Sequence, residues 1–250
     1  MQGRLQLALS KWSPGDSLQS LAEFDAVELD LGSYGLVTPQ ERSRMRSALQ
    51  RRSIKIIAKV SLRRSWETEE LGDLLSSSFE EFDDALLFWS FVSGFRCFDR
   101  IEGGPGLEAL RRVREGREEL GARPWFFEWG QEDHIASTRF LVPVRESDPG
   151  PAGGGLFPGA GFIIDPDHHG RELRRLAVPL HFKLHGWHTE RWVRRYGPTQ
   201  VPRFVDRVRQ KTHSGAREAP PSLLILAHSG RIEEGALFRK ELDREDPGKD

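Results

Sequence analysis

The sequence holds one cysteine, Cys97, in 250 residues. An internal disulfide is therefore excluded, as is any zinc site built on several thiolates. Cys97 lies between aromatics in FRCF with no activating partner nearby in sequence, and it reads as a buried structural residue. Also missing is any apolar run approaching the roughly 18 residues of a membrane span. The opening MQGRLQLALSKW lacks the long apolar stretch of a signal peptide, so the expected setting is the cytoplasm, with no membrane partner. Net charge is close to nil, at −1, which removes any global pull toward nucleic acid and makes anion binding a local matter. No strand is followed by a G-x-G-x-x-G turn, and no H-E-x-x-H occurs, which argues against a dinucleotide site and a zincin site.

What is present points to one fold. Hydrophobic residues make up 37%, enough for a sizeable core. Short apolar runs recur from end to end: LQLALS (5–10), AVELD (26–30), IKIIAKV (54–60), ALLFWSF (85–91), PWFFEW (124–129), GFIIDP (161–166), HFKLHG (181–186) and SLLILAHS (222–229). Between them lie stretches with apolar positions three or four apart, clearest at 39–52, 106–121, 198–211 and 232–245. Alternating strands and helices predict parallel pairing, and eight such units predict a single-domain (β/α)8 TIM barrel over residues 1–250. The Pro/Gly-rich segment 147–161 reads as a surface loop, and 246–250 as a frayed tail.

Alternation along each strand then sorts side chains into two faces. With Phe182 and Leu184 packed on helices, His181, Lys183 and His185 point into the barrel. Val27 and Leu29 outside put Glu28 and Asp30 inside; Ile56, Ala58 and Val60 outside put Lys59 inside. The same parity places Ser10 and Trp12 with Ala8, Glu128 with Phe126, Asp165 with Ile163 and His228 with Leu226. ALLFWSF is apolar on both faces and stays ambiguous. The inward polar groups gather near the C-terminal strand ends, where barrel active sites are built.

Three chemistries fit such residues. Asp165, Asp167 and the histidines of DPDHH and HGWH, joined by Glu28 or Glu128, carry the oxygen and imidazole ligands of a divalent metal such as zinc or manganese. An exposed turn at Asp167, His168 and His169 is the plainer alternative. Lys59 or Lys183, if desolvated and neutral, is a Schiff-base nucleophile; ion-paired with the carboxylates it is not. Trp187, Trp192 and Tyr196 with Arg191, Arg194 and Arg195, and Arg63, Arg64 and Trp66 after the third strand, suit phosphate clamping or base stacking. A solvated helical segment capping the barrel rim explains the same residues.

The strand HFKLHG leading to Tyr196 and a helix resembles the Y-V-R-L-H-G strand of the domain of unknown function 72 family (YecE-like). VELDLGSY is similar to that family's V-E-[IL]-[ND]-x-x-x-Y, which would carry over Glu28 and Tyr34. IIAKV, FFEW and FIIDPD resemble its strands ending at Lys59, Glu128 and Asp165. The resemblance implies a TIM barrel without a settled activity. The chain departs from the pattern at Lys183, Trp129, His228 and Ser229, as a divergent member would.

Taken together, the sequence predicts an enzyme acting at the C-terminal mouth on an anionic, phosphate-bearing substrate, either a small ligand or nucleic acid. Metal-assisted phosphoester hydrolysis would use Glu28, Lys59, Glu128, Asp165, Lys183 and His185, with Asp165, His185 and Glu128 as metal ligands. Tyr34, Arg63, Arg64, Trp187, Arg194, Arg195, Tyr196 and His228 would bind the ligand. The alternatives are a metal-free lyase or isomerase using lysine and carboxylates, and a non-catalytic ligand-binding barrel.

Overall fold

A computed structural model describes residues 5–10, 12, 18–62, 66–93, 105–128, 157, 160–165, 180–184, 187–189, 192–194, 196–213, 223–227 and 231–244. The eight expected strands close into one parallel barrel. They are β1 (Gln6–Leu9), β2 (Ala26–Asp30), β3 (Lys55–Leu62), β4 (Leu86–Ser93), β5 (Trp125–Glu128), β6 (Gly161–Ile164), β7 (Leu180–Leu184) and β10 (Leu223–Leu226). Around the barrel their order is β1-β10-β7-β6-β5-β4-β3-β2. Two short strands, β8 (Trp187–Thr189) and β9 (Trp192–Arg194), form a separate antiparallel ribbon after β7, where the sequence suggested helix or loop.

Helices α1 (Leu31–Tyr34), α2 (Pro39–Arg51), α3 (Thr68–Phe82), α4 (Pro105–Gly116), α5 (Gln200–His213) and α6 (Gly235–Asp243) follow their strands. Helix α2 starts where the sequence says it should. Thr38 and Glu41 cap it reciprocally and Pro39 takes the first turn, where its missing N–H is no loss. Asp30 ends β2 and caps α1 by accepting from the Ser33 N–H at 2.9 Å. The strand therefore hands directly to a helix at the barrel mouth.

Two apolar clusters confirm the two-faced reading. The larger joins Val27, Leu29, Ile56, Ala58, Val60, Trp89, Phe91, Phe127, Phe162, Phe182 and Leu184 to the helices. The smaller fills the barrel: Ala8, Ala26, Ile57, Phe88, Phe126, Ile163, Leu223 and Ile225. Combined with the strand register, it resolves the interior into layers of four, each drawn from alternate strands. One layer is Ala8, Ile57, Phe126 and His181. Above it lie Glu28, Ser90, Ile163 and Ile225. The layer nearest the C-terminal mouth, among these three, is Ser10, Lys59, Glu128 and Lys183.

Three expectations need correction. In β10 the inner positions are Leu223 and Ile225, while Leu226 packs outward, so the parity that sent His228 inward is off by one residue. The run SLLILA is apolar on both faces and left parity without a marker. Trp12, beyond the end of β1, belongs to the outer cluster. Within the supposed surface loop 147–161, Phe157 is fully buried against Trp125 and Phe127. The remaining residues of 147–159, and the tail 246–250, lie outside the described residues.

Candidate active site at the barrel mouth

The upper layer is built around one ammonium. Lys183, at the end of β7, crosses the barrel and donates to Glu28 Oε1 at 2.9 Å, Glu28 Oε2 at 2.8 Å and Glu128 Oε2 at 2.7 Å. An ammonium has three donors, and all three are engaged. Ser10 Oγ donates to Glu28 Oε1 at 2.8 Å, while the Lys59 ammonium stands 3.7 Å from the same oxygen. The chain Glu128–Lys183–Glu28–Ser10 thus links β5, β7, β2 and β1, strands far apart in sequence.

Exposure grades across this cluster. The side chains of Glu28 and Lys183 are 1% exposed, Glu128 9% and Lys59 16%. Burial is the strongest influence on the Lys183 pKa and pulls it down. The charges of Glu128 and Glu28 and their hydrogen bonds together outweigh burial and hold it above the ordinary lysine value. Lys183 is therefore charged at neutral pH, which overturns its reading as a neutral Schiff-base nucleophile. With every donor engaged inside the barrel, it is also placed to hold the two carboxylates rather than to contact a substrate. Asp165 is buried, 2% exposed, just past the end of β6 at the same mouth.

One layer lower, His181 stacks on Phe88 and Phe126, with centroids 4.6 and 4.0 Å away, and its Nδ1 accepts from the Leu223 N–H at 3.1 Å. That bond keeps Nδ1 unprotonated, so His181 serves the core. Tyr34 and Tyr196, expected at the site, face the helical layer instead. The Tyr34 hydroxyl donates to Glu81 of α3 at 2.7 Å and its ring packs on Phe82. Burial, then the bond and charge of Glu81, push its phenol well above the ordinary value. Tyr196 packs on Phe204 and Phe238, and its N–H donates to the Glu234 carboxylate at 3.0 Å. His185, His228, Arg63, Arg64 and Arg195 lie outside the described residues. Trp187 and Arg194 are register partners in the β8–β9 ribbon.

Of the expected metal ligands, His185 lies outside the described residues. Among the described residues, no group of three or more His, Cys, Asp or Glu side chains is arranged to hold a metal ion. Glu28 and Glu128 share the Lys183 ammonium.

Ser90 is the polar interior residue the sequence did not reveal. The fourth strand's double apolar face concealed it. Its neighbours Trp89 and Phe91 pack outward and Phe88 inward, so the serine points inward. Any signal was slight: a lone hydroxyl in an otherwise apolar run.

No family profile matches the chain, and no curated protein sequence does. Solved structures do. A D-psicose 3-epimerase from Clostridium cellulolyticum H10, solved with D-tagatose, superposes with a TM-score of 0.57 at 10% identity, covering 96% of this chain and 97% of that one. A D-tagatose 3-epimerase-like protein gives 0.55 at 13% identity, covering 95% and 96%. The 3-keto-L-gulonate-6-phosphate decarboxylase of Vibrio cholerae gives 0.51 at 10% identity, covering 98% and 100%. At such identities the likeness is one of fold. This chain is a TIM barrel.

Proposed function

We propose that the protein is a barrel enzyme that moves protons on a small anionic carbonyl compound at the C-terminal mouth, in the manner of an isomerase or lyase. The observation that carries this reading is the Lys183 ammonium, saturated between Glu28 and Glu128. Of the two carboxylates it holds, Glu128 is the more exposed, and it shares a wholly polar layer with Lys59.

In the proposed step Glu128 takes the proton from the carbon next to the substrate carbonyl. The C–H electron pair becomes a C=C bond, and the carbonyl π pair moves onto oxygen as an enolate. Lys59 stabilises that negative charge, for among the described residues no hydrogen bond engages its ammonium. On an α-hydroxy carbonyl compound the enolate oxygen then takes the neighbouring hydroxyl's proton, the carbonyl re-forms at that hydroxyl's carbon, and Glu128 returns its proton to the former carbonyl carbon, an isomerisation without net redox change. Lys183, Glu28 and Ser10 are positioning residues: they fix the orientation of Glu128 from behind. We also take the chain as a divergent relative of the domain of unknown function 72 family, whose strand motifs supply Glu28, Lys59, Glu128 and Asp165. Phosphoester hydrolysis finds less support, because Glu128, one of the expected metal ligands, is bound to Lys183. The epimerase and decarboxylase activities of the structural neighbours agree with carbon-centred chemistry on this fold only by analogy.

The test is solvent exchange. The protein is incubated in D2O with a panel of small hydroxy-aldehydes, hydroxy-ketones and their phosphate esters, and carbon-bound deuterium is followed by NMR. Enzyme-dependent exchange on one chemical class, abolished by Glu128→Gln, supports the reading. Exchange that survives Glu128→Gln, or its absence across the panel, overturns it.

A further inference from the structure

We propose that Ser90 and Lys59 form an oxyanion subsite that takes the substrate's carbonyl or carboxylate oxygen; this rests on the proton-transfer reading and names the group that site recognises. Ser90 and Lys59 are register partners on β4 and β3, with both side chains inside the barrel. Strands in such a pair run about 4.8 Å apart, so one oxygen atom can reach a donor from each. Ser90 is fully buried and, among the described residues, its Oγ has no hydrogen-bond partner. A buried hydroxyl left in that state is disfavoured by an amount comparable to a lost hydrogen bond, and native proteins keep few.

The neighbourhood explains why such a group would be kept. Ser90 shares its layer with Glu28, and Lys59 of the layer above lies between their two strands. Glu28 is already held by Ser10 and Lys183 and leaves Ser90 without an acceptor. The ammonium of Ser90's register partner Lys59 is the loosely held one, 3.7 Å from a Glu28 carboxylate oxygen. Its flexible four-carbon stem can shift while Lys183 stays fixed. An incoming oxygen would then receive one charged and one neutral donor, beside the neighbouring strand β5, whose Glu128 carboxylate would take the adjacent carbon's proton. The substrate class is a carbonyl or carboxylate compound bearing an enolisable C–H, entered oxygen first.

The probe is oxalate, a planar dianion with the shape of an enolised hydroxy acid, titrated calorimetrically into the whole protein, wild type and variants. Ser90→Ala should weaken oxalate binding by about 10- to 100-fold, with an unchanged or higher melting temperature. Lys59→Met should weaken it at least as much. Ser90→Ala binding oxalate like wild type overturns the subsite. So does a fall in melting temperature, because the hydroxyl would then have a structural partner. If Lys59→Met alone lost binding, the subsite would fail while the anionic-mouth reading stood. If wild type bound no oxalate, both would fail.

Discussion

The same four strands, β1, β3, β5 and β7, fill two layers of the barrel with opposite chemistry. Two residues before the end of the polar set they supply Ala8, Ile57, Phe126 and His181, an apolar plate whose one imidazole is stacked on aromatic rings. Two residues later they supply Ser10, Lys59, Glu128 and Lys183. One step of the pleat repeat separates a layer that holds the barrel together from one that has to be neutralised internally. A buried, partnered ion cluster rarely adds net stability over apolar packing. On the proposed reading, the lower layer serves packing and the upper one is kept for proton transfer.

Breaking either layer singly should be severe, for different reasons. Lys183→Met leaves Glu28 and Glu128 facing each other without a cation, and the loss should be about 3–5 kcal/mol by denaturant unfolding. Phe126→Ala, in the apolar plate, should cost a similar ~3–5 kcal/mol through the cavity it opens. The two variants differ in rescue. Adding Glu28→Leu and Glu128→Leu should restore Lys183→Met, whereas no polar substitution restores Phe126→Ala.

A smaller effect is expected at His181. Replacing it with Phe keeps the stacking but orphans the Leu223 N–H, at about 1–3 kcal/mol. An unchanged unfolding midpoint would show that the His181 bond contributes nothing to the plate.

The pH dependence separates the layers again. Lys183 holds its proton more tightly folded than unfolded. Its contribution is therefore complete below the ordinary lysine value near 10.4 and declines as pH rises above it, toward the higher folded value. In Lys183→Met this alkaline component of the stability profile should vanish. A decline that persists unchanged in the variant would assign it to other groups.

Much of this was legible in the sequence because charge marks the inner face wherever it interrupts an apolar strand. Glu28, Lys59, Glu128 and Lys183 each stand alone among aliphatic or aromatic neighbours, and each points inward as alternation requires. Parity failed where no charge marks a face. In SLLILA it sent Leu226 to the wrong side, and in ALLFWSF it left Ser90 hidden. The pairing itself was out of reach. Glu28 and Lys183 are 155 residues apart in the chain, and only barrel closure brings them within 2.8 Å. Tyr34, suggested by resemblance, and Tyr196, suggested also by its aromatic and arginine-rich loop, went to the helical layer, where each ring packs on aromatic neighbours.

The claim that the upper layer exists for function at the expense of folding has one direct test. Ser10→Ala, Glu28→Leu, Glu128→Leu and Lys183→Met are combined to make the polar chain apolar, and unfolding is compared with wild type in the same denaturant series. The variant should be at least as stable as wild type, by up to about 4 kcal/mol, while losing all proton exchange. A combined variant as unstable as Lys183→Met alone would contradict the account and make the ion cluster a structural keystone of the barrel.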